Sequence, residues 1–151
     1  MTLSRCALLV SVVVTALSLT ACSRDDEGPP SIRLGDSPCT YCNMIISDER
    51  FATATVIESD RGPEPLLFDD FICQLDYEKA HPDLTIVTHW SHDYNTLAWF
   101  PTAEAFFVKS EEIHAPMASH LAAFQSKEDA DKFAEQTGGQ TVTFESVWEG
   151  D

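Results

Sequence analysis

The sequence predicts an α+β fold made of two similar β-β-α-β units packed together. Segments that alternate apolar with small or polar residues recur on either side of turn-forming clusters, as half-buried strands of hairpins do. Each half of the chain also holds one stretch in which a helix-start residue precedes apolar residues at helical spacing. In both halves the order is hairpin, helix, strand, which points to an internal duplication even though side-by-side identity between the halves is slight.

At 151 residues, with 44% hydrophobic and 10% aromatic content, the chain suits one compact unit or two small halves sharing a core. Its net charge of -16 argues against nucleic acid as a partner, because no basic stripe exists to neutralise phosphates. The acidity is spread along the chain, so it gives a soluble surface that repels anionic partners and draws in cations.

Taken in order, residues 1–21 read as an export signal. Arg5 supplies the positive end, and Ala7 to Leu17 is an apolar run too short for a comfortable membrane span. The run ends in Leu19-Thr20-Ala21-Cys22, which resembles the bacterial lipobox and makes Cys22 the expected lipid attachment point. Several acyl chains on one residue exceed what stable membrane anchoring requires. Ser23 after the acylated position resembles enterobacterial lipoproteins of the outer membrane rather than the inner. Residues 22–37 are charged and rich in Gly and Pro, the composition of a tether. The ordered domain is expected to begin near Pro38, with a first unit over 38–92 and a second over 93–151.

The first unit opens on Cys39-Thr40-Tyr41-Cys42-Asn43-Met44, two thiols and a thioether within six positions. Sulfur donors favour monovalent copper over hard, oxygen-seeking cations. A Cys-x-x-Cys alone is weak evidence, serving redox enzymes, zinc knuckles and disulfides alike. Met44 sharpens it, since a thioether takes no part in thiol exchange and binds copper(I) without losing a proton. In an extended segment Cys42 and Met44 share a face, and Cys39 faces away unless Pro38 or a turn bends the chain. The plain alternative is a buried Met44-Ile45-Ile46 strand beside two idle or disulfide-bonded cysteines.

Phe51 to Ile57 then reads as a strand with one buried face, Ser59 to Pro63 as a turn, and Leu66 to Phe68 as a short returning strand. Asp69 or Asp70 caps a helix running to about Ala80, with Ile72 and Leu75 at helical spacing and Pro82 beyond its end. Leu84 to Thr88 is the next strand, and His89 to His92 closes the unit. In the second unit Thr96 to Phe100, Ala105 to Val108 and Leu121 to Phe124 read as strands. Ser126 with Asp129 forms a capping box for a helix with Ala130, Phe133 and Ala134 on its apolar face, ended by Gly138-Gly139. Gln140 to Phe144 is the final strand.

Several constellations have two readings. Asp69-Asp70 is a helix cap or a metal-adjacent acidic pair. Cys73, one turn into that helix, is a small buried residue or a group that reaches the metal. His89 and His92 at H-x-x-H spacing could join Cys39 and Cys42 in a zinc site, but the separation far exceeds that of a compact finger and leaves Met44 without purpose. Met117, between His114 and His120, gains meaning as a ligand if the second half folds back on the first. No Ser-His-Asp set, phosphate loop or dinucleotide fingerprint is present, so an enzyme is not expected.

These features together resemble the NosL-type copper chaperone lipoproteins that serve maturation of nitrous oxide reductase. The resemblance rests on the lipobox at Cys22, Cys39-x-x-Cys42-x-Met44 with Ile46, Asp48 and Arg50, and Phe68-Asp69-Asp70 followed by Cys73. It continues through Ala105-Phe106-Phe107-Val108, Pro116-Met117 and Gly138-Gly139. It implies a fold related to the organomercurial lyases and delivery of copper(I) to a copper-sulfide centre through an ABC-transporter-linked assembly complex. It also implies Cys42, Met44 and Met117 as copper ligands, with Cys39, His114 and His120 as further candidates. The alternatives are an extracytoplasmic thiol-disulfide oxidoreductase using Cys39 and Cys42, or a structural zinc-binding lipoprotein. An oxidoreductase needs a cysteine exposed at a helix start, and no long helix follows Cys42.

Overall fold

The computed structural model describes residues 28–149. The export signal, Cys22 and the first part of the tether lie outside the described residues. The remaining tether residues are partly folded in. Ser37 is buried, Gly35 N donates to Ile46 O and Ile32 packs on the core, so order begins before Pro38.

The α+β architecture is two antiparallel sheets with helices. The first sheet holds β1 (Thr53–Ser59), β2 (Gly62–Phe68), β3 (Ile86–His92) and β4 (Trp99–Pro101) in the order β2-β1-β3-β4. The second holds β5 (Phe106–Lys109), β6 (Leu121–Phe124) and β7 (Gln140–Val142) in the order β6-β5-β7. In each half the first strand is central, flanked by the strand of its hairpin and the strand that follows the helix. The helices are α1 (Phe71–Ala80), α2 (Lys127–Thr137) and α3 (Phe144–Glu149).

Five elements differ from their sequence reading; the strand read over Thr96 to Phe100 in the second unit is β4, which pairs with β3 at the edge of the first sheet and so belongs with the first half. Thr53 to Val56 of β1 is buried on both faces rather than one, because the strand lies between β2 and β3 and under α1. Strand β2 begins at Gly62, earlier than read, since Pro63 and Pro65 are tolerated on an edge strand whose outward side forms no ladder. Strand β3 runs through His89 to His92, which pair with both β1 and β4, where a closing loop was expected. Phe144 starts a helix instead of ending a strand: Thr143 Oγ1 accepts from Ser146 N at 3.3 Å, a hydroxyl cap on an orphan helix amide.

Strand β6 and the middle of β5 in the second sheet are buried on both faces and join the halves. Val108, Ala122 and Phe124 pack with Ala130 of α2 and with Phe51. Phe107, Leu121 and Ala123 on the other face pack with Phe71 and Leu75 of α1, Phe100 of β4 and Val147 of α3. The Phe71 and Phe107 rings meet edge-on at 5.0 Å, a favoured aromatic geometry. Gly138, at φ +61, closes α2 in the left-handed conformation. At Gly139 a Cβ would stand 2.7 Å from Lys109 O, so glycine lets the helix exit lie against β5.

Candidate metal centre

The Cys39 to Met44 stretch is a tight turn, not an extended strand. Asn43 N donates to Cys39 O at 3.0 Å and Cys39 N to Met44 O at 2.8 Å, while Asn43 takes φ +62. Asparagine tolerates that left-handed conformation better than most residues with a Cβ. The bend brings Cys39 round to Cys42, the one condition under which the two could meet. A Pro38 to Ile45 bridge and Ile46 N to Ser37 O close the base of the turn. Thr40 N donates to Leu67 O at 2.7 Å, and Leu67 N donates to Thr40 Oγ1 at 3.1 Å, fixing the turn on the outer edge of β2.

Helix α1 supplies the third sulfur. Asp70 caps it, its Oδ1 accepting from Ile72 N, and one turn later Cys73 points at the loop. The Sγ atoms of Cys39, Cys42 and Cys73 lie within 4.8 Å of one another, and all three are free thiols. Cys39 and Cys73 are buried, and Cys42 is partly open. Burial raises the Cys42 thiol above its ordinary range, against the lowering effect of the Met44 amide. Burial raises Cys73 further still, with Cys39 and Cys42 adding to it. Without a cation Cys42 and Cys73 hold their protons. A bound soft cation displaces them and offsets the thiolate charge.

Two buried carboxylates hold the parts in place. Asp69 Oδ1 accepts from Ser47 N at 3.3 Å, just past the thiol turn. Asp70 Oδ2 accepts from Met117 N at 2.9 Å and Ser119 N at 3.3 Å, reaching the loop of the second half. Asp70 is therefore the helix cap and, with Asp69, the brace between both sulfur-bearing loops and the helix that carries Cys73. Burial pushes the Asp69 carboxyl upward, with the Ser47 amide opposing it and the neighbouring Asp70 charge adding to it.

Met117 packs against the cluster formed by Cys39, Ile46, Ala52, Phe68 and Cys73, so the second half does fold back on the first. Met44 stands on the rim, 55% exposed, beside exposed Tyr41 and Ile45 of the same turn. His114 is exposed, while the His120 ring faces Ile113 O at 3.1 Å. Neither belongs to the thiol cluster, whose members among the described residues are the three cysteines alone.

The H-x-x-H pair does not complete a zinc site here. Three positions along β3 put the rings on opposite faces. His89 Nε2 meets Glu78 Oε1 at 3.1 Å, and the buried His92 sets Nδ1 3.0 Å from Ala52 O. Structural zinc takes four ligands, and no histidine or carboxylate among the described residues joins the thiols. A reactive redox cysteine needs a lowered pKa, whereas Cys42 and Cys73 are both raised.

Cys73 is the site residue that sequence reasoning left undecided. The available signal was its place three residues beyond a double aspartate, which puts it on the first turn of a helix anchored at both carboxylates.

A family model for NosL matches residues 32–150 of the chain. No curated protein matches it significantly. Among solved structures, the crystal structure of the copper chaperone NosL from Shewanella denitrificans is similar at 17% identity and a TM-score of 0.67. The likeness covers 83% of this chain and 98% of that one. At that identity it shows a shared fold.

Proposed function

The chain belongs to the NosL family, and from that premise we propose that it binds copper(I) and hands it on for assembly of the copper-sulfide centre of nitrous oxide reductase. The observation that carries this reading is the meeting of three free thiols from two separate segments, with the Met117 side chain against the same cluster. Soft, largely buried sulfur donors suit a monovalent soft ion, and their number suits its low coordination.

Delivery requires that a bound ion be reachable. Cys39 and Cys73 form the closed side of the cluster, while Cys42 is partly open and Met44 lies on the exposed rim. Copper held by Cys42 with the Met44 and Met117 thioethers can be attacked by an incoming thiolate or imidazole before it leaves the chaperone. The receiver in this proposal is an ABC-transporter-linked assembly complex. The chain works from the periplasmic side of a membrane, more fittingly the outer one, anchored through an acylated Cys22. A mature chain whose mass corresponds to cleavage before Cys22 plus its acyl groups is the expected result. An unmodified Cys22 overturns the anchor.

The first experiment is anaerobic titration of reduced protein with copper(I) against a competing chelator. Wild type is expected to compete strongly, Cys42→Ala to lose most of the affinity and Met44→Ala roughly tenfold, about 1.4 kcal/mol. Absent binding, or retention unchanged in both variants, overturns the assignment.

A further inference from the structure

Between α1 and the second sheet lies a cavity of about 340 Å³, lined by Ile72 and Leu75 of α1, Leu121 and Val142 of the sheet, and Val147 of α3, with Lys79 and Lys109 also bordering it. Its walls are largely apolar, and its volume is at the lower end of the roughly 300–1,000 Å³ usual for small-molecule sites. That is room for one narrow aliphatic chain and too little for a two-tailed lipid.

Two exposed cations supply the charge at the cavity's border. The protein has 9 Lys and Arg against 25 Asp and Glu. Of its four lysines only Lys127 has a carboxylate within ion-pair distance, Asp131 at 2.6 Å. Lys79 and Lys109 have no carboxylate within ion-pair distance among the described residues. Two lysines from different elements, α1 and β5, thus border one apolar hole without their own counter-charge. Their positive charge favours an anionic group at that border. Ser119 adds a hydroxyl to the lining, whose oxygen already accepts from Leu121 N and whose proton can be donated.

We infer that this cavity binds a free medium-chain fatty acid, its tail among Leu75, Leu121, Val142 and Val147 and its carboxylate on Lys79 and Lys109. The site adjoins the thiol cluster through Ile72, but the inference does not rest on the copper reading. Tail burial supplies most of the binding energy. The lysines supply selectivity for a charged head.

The test is calorimetric titration of residues 28–151 with decanoate and with decanol. That part can be used alone: it contains both sheets and all three core clusters, and the solved chain it resembles has almost nothing beyond it. Decanoate is expected to bind at one site, at least tenfold tighter than decanol and more weakly at high salt. Lys79→Ser/Lys109→Ser should reduce decanoate to the level of decanol. Val142→Phe, which fills the cavity, should weaken both ligands. Undetectable decanoate binding, equal affinity for acid and alcohol, or no effect of the lysine pair overturns the proposal. So does binding only to vesicles of a two-tailed anionic phospholipid, the result expected of surface lysines meeting a membrane.

Discussion

The two halves of this protein share a strand order but differ in what their helices bury. Helix α1 puts Phe71, Cys73, Gln74 and Leu75 into the interior, a set in which a thiol and an amide sit beside two apolar groups. Helix α2 buries only Ala130 and lies as an amphipathic cover with its charged face in water. Their caps differ in the same way. The Asp70 carboxylate is wholly buried and reaches a loop of the other half. The Ser126 hydroxyl serves only its own helix. One half keeps the simple pattern of apolar inside and polar outside, and the other breaks it where the thiols gather. Departures from local consistency of this kind belong at functional sites.

That contrast is best broken at the sulfurs. Cys73→Ala is expected to lower copper(I) affinity about a thousandfold, about 4 kcal/mol, when read by chelator competition. The same titration on Ala130→Ser, at the buried position of α2, should leave affinity unchanged. If Cys73→Ala binds as wild type does, the third thiol is core packing and the halves differ less than their burial implies.

The next largest effect is expected at the buried cap. Asp70 receives amides from Ile72, Met117 and Ser119. Asp70→Asn keeps the size but replaces one acceptor oxygen with a donor facing N–H groups. Chemical denaturation should show a loss of about 3 kcal/mol, the upper range for hydrogen bonds to a charged group. Copper affinity should fall with it, because the Met117 loop loses its tie to α1.

How much of this was legible in the sequence follows from the range of the forces involved. Helix α2 could be read nearly to its ends, because Ser126, the apolar spacing and Gly138 act within a few residues of one another. The cap at Asp70 was legible for the same reason. The extent of β3 was not, since His89 to His92 become strand only through pairing with Thr53 to Thr55 and Trp99 to Pro101. The turn at Asn43 hid behind a plausible extended reading, and the thiol trio depended on it. Cys73 needed the docking of the Cys39 to Met44 turn on β2, a tertiary event with no local signature. The start of α3 was legible in principle, in Thr143 with Ser146 three residues on, but the alternation of Thr141 to Phe144 concealed it.

A third prediction tests the seam between the halves. Asp93, just after β3 of the first sheet, accepts from Thr96 and Asn95 nearby and from Gln125 N, just after β6 of the second sheet, at 2.8 Å. Its burial alone would raise the carboxyl, but the amides of Gln125, Thr96 and Asn95 outweigh that and hold it below the usual range. The carboxylate therefore contributes stability that is fully present above the unfolded value, near pH 3.9. It is lost as pH falls through the lower folded value. Asp93→Asn should cost about 2 kcal/mol at neutral pH. The difference from wild type should begin to shrink below pH 4 and be gone once pH is below the folded value, where both chains present an uncharged group. A gap that stays constant with pH would mean that the side chain acts by shape rather than charge.

The smallest effect sharpens the comparison from the other side. Ser126 Oγ accepts from Asp129 N at 3.4 Å and satisfies one orphan amide of a largely exposed helix. Removing it with Ser126→Ala should cost about 1 kcal/mol, the typical value for such a cap, seen as a shifted denaturation midpoint with unchanged slope. Copper affinity should not move, because α2 touches neither the thiol turn nor the Met117 loop through this hydroxyl. Two caps on equivalent helices would then differ threefold in stability and qualitatively in copper binding. If Ser126→Ala weakened copper binding as much as Asp70→Asn does, the site would be sensing global stability, and the brace at Asp70 would have no special standing.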